Sequence, residues 1–150
     1  MASLSNAAET AFLTLLFNNT AWANIGNAGG LQPSSVPGVF WVGLATADPG
    51  EAGTQATSEI VYTGYGRVSV ARSGAGWTIS SNNASNTAAI TFGACTALSG
   101  TATFVTIGTD ETGAGNLIVV AAITSPGGGL AISSGITPEI AIGALDINID

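Results

Sequence analysis

Lysine and histidine are missing from this chain, and Arg67 and Arg72 are its only cationic side chains. Nine carboxylates stand against them, so the formal net charge is −7 and 7% of the 150 residues are charged, where an ordinary soluble domain carries about 25%. Without histidine there is no Ser–His–Asp or Cys–His site and no general base of the kind most used near neutral pH. Without lysine a Ser–Lys site is excluded too. Two arginines cannot build a basic patch, and an acidic chain is repelled by a phosphate backbone, so no nucleic acid is expected as a partner. A single cysteine, Cys95, rules out a disulfide framework and a Cys-based metal site, and reads as a small core residue. The longest apolar run, Leu117–Ile123, falls far short of the roughly 18 residues that would suggest a bilayer span. The first twenty residues lack Lys and Arg, and Glu9 interrupts their apolar stretch, a poor signal peptide. No membrane is expected. Soluble proteins usually rely on a charged, mixed surface, so the deficit points to a chain that lives against other protein.

What is present is small. Ala, Gly, Thr and Ser make up about half the chain, a composition suited to β structure and close turns. The length fits one domain, 1–150. A helical pattern covers about 5–18: Ala8, Phe12, Leu15 and Leu16 share one face, Leu13 and Phe17 extend it, and Thr10, Thr14 and Asn18 form a narrow polar stripe. Ser5 or Asn6 can cap it, and Asn6 with Glu9 resembles a capping box. Residues 19–38 read as a loop broken by Gly29-Gly30, Pro33 and Pro37. From 39 to 150 the period becomes two, with strands expected at Val39–Thr46, Glu59–Tyr62, Arg67–Arg72, Trp77–Ser80, Thr87–Phe92, Thr103–Thr109, Asn116–Thr124 and Ala144–Asp150. Short strands between Gly- and Asn-rich turns predict a mainly β, single-domain β-sandwich, a jelly-roll-like arrangement among its forms, with one N-terminal α-helix.

Chemistry is scarce. No GxSxG, Walker A or HExxH pattern occurs, and Gly64-Tyr65-Gly66 and Gly113-Ala114-Gly115 read as turns. Paired carboxylates, Asp48 with Glu51 and Asp110 with Glu111, are the one enzymatic option, since glycosidases need just two. Both pairs fall in turns, where solvated acids are the norm. The same acids could ligate calcium, but no EF-hand spacing is present. No catalytic residue, cofactor or metal is assigned. Arg67 and Arg72 lie five apart and point to opposite faces of a strand. Each is expected to pair with an acid, and a partly buried pair could fix a turn or a subunit contact. Asn18-Asn19-Thr20 and Asn83-Ala84-Ser85 match glycosylation sequons, expected to be accidental.

Several segments, in one order, resemble a known group. They are Ala7-Ala8-Glu9-Thr10-Ala11-Phe12-Leu13, Trp41-Val42-Gly43-Leu44-Ala45-Thr46-Ala47-Asp48-Pro49-Gly50-Glu51 and Gly64-Tyr65-Gly66-Arg67. Ser85-Asn86-Thr87-Ala88-Ala89-Ile90-Thr91-Phe92, Thr106-Ile107-Gly108-Thr109-Asp110 and Ala141-Ile142-Gly143-Ala144-Leu145-Asp146-Ile147 complete the pattern. The chain is similar to small bacteriophage virion proteins, often labelled tail fibre proteins, some of which look like head decoration or cement proteins. The resemblance implies a virion component and carries over no catalytic motif. Leu31–Val39 and Gly127-Gly128-Gly129 depart from the pattern.

The resulting expectation is a non-enzymatic capsid decoration protein. It would be made in the host cytoplasm and bound to the capsid exterior as a homotrimer, with the major capsid protein as partner. Phe12, Leu13, Phe17 and Trp22 are the candidate subunit or capsid interface, because interface anchors favour aromatic and large apolar groups. The alternative is a tail fibre or baseplate component for host attachment, using Asn82–Asn86 or Gly26–Ser35 as exposed loops. A carbohydrate-binding module is a third reading, disfavoured because Trp22, Trp41 and Trp77 are scattered in sequence.

Overall fold

The N-terminal helix starts where a small hydroxyl residue precedes an unbroken run of helix-compatible residues. α1 covers Asn6–Asn18, and extended Ser5 is its N-cap, its hydroxyl accepting from the Ala8 N–H at 3.4 Å. With Ser5 in that role, Glu9 sits one position too far along to close the expected capping box and is instead buried, 7% exposed. Asn19 ends the helix in the left-handed conformation (φ 50°, ψ 40°) and its N–H returns to the Thr14 carbonyl.

The computed structural model describes residues 3–149. After α1 the elements are all strands: β1 (Val39–Ala45), β2 (Val68–Ala71), β3 (Trp77–Ser80), β4 (Asn83–Asn86), β5 (Ile90–Thr91), β6 (Gly100–Ala102), β7 (Phe104–Gly108), β8 (Leu117–Ala122), β9 (Leu130–Ile132), β10 (Glu139–Ile140) and β11 (Asp146–Asn148). Among the described residues the protein is thus mainly β with one helix, and the strands fall into four sheets. The chain separates into two compact units, each assembled from discontinuous segments. One holds Met1–Val39, Ala71–Ala89 and Ala141–Asp150, and the other holds Phe40–Val70 and Ile90–Ile140.

In the helical unit, α1 packs on a three-stranded sheet of order β11-β4-β3. The register pairs Trp77 with Asn86, Ile79 with Ala84 and Ala84 with Ile147, which puts all of these on one face. Leu13 is 1% exposed, and Phe17 and Trp77 are fully buried, their rings tilted with centroids 4.8 Å apart. The helix therefore buries the line Glu9, Leu13, Phe17, not a face centred on Phe12, which stays 41% exposed. The expected polar loop at Asn82–Asn86 is also corrected. Asn83–Asn86 is the middle strand of the sheet, with Ala84 and Asn86 buried. Gly26–Ser35 does remain irregular and largely exposed.

The larger unit holds a sheet of order β2-β1-β7-β8, with Gly43 opposite Thr106 and Ile107 opposite Val119, and a register shift between Ile107 and Gly108. Two short ladders, β6–β9 and β5–β10, complete it. Val42, Leu44, Ile60, Phe92, Ile107 and Ile132 lie among its buried side chains. The strand expected at Glu59–Tyr62 is reduced to isolated bridges, Ala45 to Glu59 and Thr63 to Ala97. Ile60 N–H does reach the Leu44 carbonyl at 2.9 Å, but a turn follows at once, with Tyr65 N–H donating to the Tyr62 carbonyl at 3.1 Å. The strand expected at Thr87–Phe92 shrinks to β5 for a similar reason. Asn86 directs its amide to the Ala88 and Ala141 carbonyls at 2.8 and 2.9 Å and holds that stretch off any ladder.

Candidate functional site

The turn after Ile60 brings the residues of Gly64-Tyr65-Gly66-Arg67 back over β1. Arg67 projects inward and meets Glu59 as a fork, with Nε to Oε1 and Nη2 to Oε2 both 2.7 Å. The arginine side chain is 2% exposed and the glutamate 21%. Its remaining donors reach backward to a loop: Nη1 donates to the Asp110 carbonyl at 2.8 Å and Nη2 to the Gly113 carbonyl at 2.9 Å. The Tyr65 hydroxyl donates to Glu59 Oε1 at 2.9 Å and accepts the Leu44 N–H at 3.0 Å. That approach needs a glycine at 43, because a Cβ there would lie 3.1 Å from the Tyr65 hydroxyl and 2.8 Å from Thr106 Oγ1. Burial, then the adjacent Glu59 charge, pushes the Tyr65 phenol well above its ordinary value, against the lowering effect of the Leu44 hydrogen bond.

Gln55 extends the network. It is 1% exposed, and its Oε1 accepts the Asp110 N–H at 2.9 Å while its own N–H donates to the Ala114 carbonyl at 3.1 Å. Gly108 is required beneath it, since a Cβ there would overlap the Gln55 side chain. The 109–116 loop is therefore tied down at Asp110, Gly113 and Ala114 by two buried side chains and one backbone group. The arginine of this pair is buried and the glutamate partly exposed, and the cluster serves to position the 109–116 loop.

Arg72 plays the matching part in the helical unit. Nε donates to the Leu16 carbonyl at 2.8 Å and Nη2 to the Leu15 carbonyl at 3.2 Å, two carbonyls of the last helical turn. Nη1 donates to Ser34 Oγ and the Pro37 carbonyl at 3.0 and 3.1 Å. Asn19 adds a reciprocal pair with Ser34, 2.9 Å each way, and Trp22 bridges to Leu31 through the backbone. The 19–38 loop is thus anchored to the end of α1.

Of the candidate interface residues, Leu13 and Phe17 are interior to the helical unit, because their faces are filled by the sheet. That corrects their place as surface anchors. Phe12 is 41% exposed and Trp22 half-buried. Exposed large apolar side chains of the same unit include Ile25, Leu31 and Val36, the last 73% exposed. Asp48 and Glu51 line an open groove of about 470 Å³ with Phe104, Leu117, Ile118 and Val120. Asp110 accepts from Thr109 Oγ1 at 3.1 Å, in the loop that Arg67 pins. Among the described residues no three His, Cys, Asp or Glu side chains gather into a metal-sized cluster. No helix there is long and apolar enough to cross a membrane. Cys95 is 1% exposed, with Sγ 3.3 Å from the Leu98 carbonyl.

Sequence reasoning expected each arginine to pair with an acid, with a partly buried pair fixing a turn or a subunit contact. It identified neither Glu59 as the partner of Arg67 nor Tyr65 and Gln55 as the rest of the network. The signal was faint: Gly64-Tyr65-Gly66 had only turn chemistry to show. Asn86 was missed as well. It is 1% exposed and its Oδ1 accepts the Leu145 N–H at 2.9 Å, which ties the C-terminal segment to β4.

No curated protein matches the chain. A family model does, over residues 3–148, and its segments include the Tyr65–Arg67 turn, the pinned loop and the Asn86 tie just described. The chain therefore belongs to the Gp80 family, described as podophage GP4 fiber I protein gp80.

Proposed function

We propose that this chain is a non-catalytic structural subunit on the outside of a phage particle, held there by apolar contacts with protein neighbours. The observation that carries the reading is the fate of its few charges. Both arginines act as internal ties, one on the 109–116 loop and one on the 19–38 loop. That leaves no cationic side chain for substrate or phosphate chemistry. The accessible apolar residues then become the means of attachment, with Phe12 and Trp22 as anchors, and a homotrimer seated on the major capsid protein is the assembly they suit. Depletion of charge is a mark of an interface core.

Two placements fit that role. Capsid decoration is supported by the low charge and net acidity of the chain, which suit burial against coat protein away from packaged DNA. A fibre placement is supported by the description of the family. The copy number separates them. Purified particles resolved on a quantitative gel should carry hundreds of copies for decoration and a handful to a few dozen for a fibre. Absence of the protein from purified particles would overturn both.

A further inference from the structure

We propose that the free edge of β8 is a strand-addition site for an extended segment of a different virion protein, apolar along its length and basic at one end. The inference rests on the virion reading above. β8 is an outer strand of its sheet, bonded on one side to β7. Ile123 N–H donates to the Thr103 carbonyl, and in an antiparallel ladder that phase turns Ala121 and Val119 toward β7. The N–H groups of Val120 and Ala122 then point outward, and no backbone partner meets them among the described residues. Proteins usually blunt such an edge with a charge, a proline or a short strand. β8 is six residues of Leu-Ile-Val-Val-Ala-Ala, with none of these devices.

The groove beside this edge decides what pairs there. It combines the apolar side chains of Phe104, Ile118 and Val120 with the carboxylates of Asp48 and Glu51. A second copy of the chain brings no cationic side chain to meet those acids. It has no Lys or His, Arg67 is sealed against Glu59, and Arg72 is bound to the end of α1. Copies pairing through this groove would set acid against acid. The complementary occupant is a foreign strand whose alternate apolar residues fill the groove and whose Lys or Arg reaches Asp48 and Glu51. Backbone hydrogen bonds supply affinity in this mode, and side-chain pockets supply choice of partner.

The test uses the purified full chain and two synthetic peptides of alternating Val and Thr, one with Lys at its ends and one with Glu. At low ionic strength the Lys peptide should bind roughly fivefold more tightly, as expected for two solvent-exposed ion pairs. Asp48→Asn with Glu51→Gln should erase that preference and leave the weaker binding intact. Ala122→Pro should abolish binding of both peptides with little change in thermal midpoint, because it removes an outward N–H that bonds nothing within the protein. Equal affinity for the two peptides overturns the proposal. So does peptide binding that survives in a folded Ala122→Pro variant, or self-association of the chain that Ala122→Pro abolishes. None of these outcomes depends on whether purified particles contain the protein, so a failure here is distinct from a failure of the virion reading.

Discussion

At the scale of single residues, the two arginines show how a sparsely charged chain uses the few cations it has. Arg67 is held by two carboxylate oxygens and two carbonyls, so removing it strands Glu59 and frees the 109–116 loop together. Arg67→Ala should cost about 3 kcal/mol in chemical denaturation, the usual scale for breaking a buried pair from one side. Arg67→Lys should recover only part of that loss, since an ammonium cannot reproduce the fork. Tyr65 gives a pH signature. Its folded phenol titrates above its ordinary value of 10.0, so the folded state holds its proton after the unfolded chain has released it. Stability from this group is therefore complete below about pH 10 and declines as pH rises beyond it. Tyr65→Phe should lower the midpoint at neutral pH and flatten the decline between pH 9 and about pH 11, as read by thermal unfolding across that range. In the sequence Arg67 stood out because cations are so rare. Its partners did not, because the approach of Glu59 is set by a turn whose course depends on tertiary contacts.

At the scale of elements, the helix and its sheet illustrate what periodicity can and cannot resolve. The extent of α1 was plain, and Trp77–Ser80 is a strand at the bounds its alternation implied. Which face of the helix is buried was not plain, because apolar residues surround most of it and several arcs are equally hydrophobic. Packing against Trp77 selected the line through Leu13 and Phe17. Phe17→Ala should accordingly cost about 4 kcal/mol, measured by loss of the tryptophan signal on unfolding. Phe12→Ser should leave the thermal midpoint nearly unchanged and weaken incorporation into particles. β4 was invisible because Asn-Ala-Ser-Asn has poor strand propensity. It forms because its two neighbours pair with it and Asn86 locks its end. The two-residue ladders of β5 and β10 leave too little pattern for any period to register.

At the scale of the whole molecule, the two units are interleaved along the chain. The helical unit draws on three separate segments and the larger one on two, so no single cut yields either intact. Ending the chain after Ile140 removes β11 and the contacts that Asn86 makes with Ala141 and Leu145. That truncation should collapse hydrogen-exchange protection in α1, β3 and β4 while strands β1, β7 and β8 keep theirs. The interleaving also imposes an order on biosynthesis. Leu13 and Phe17 are translated well before Trp77, and β11, the strand that completes their sheet, follows later still. At bacterial elongation rates the gap is on the order of ten seconds. Through that interval the nascent helix offers its most hydrophobic side chains to the cell, which makes it the natural target for chaperones during translation.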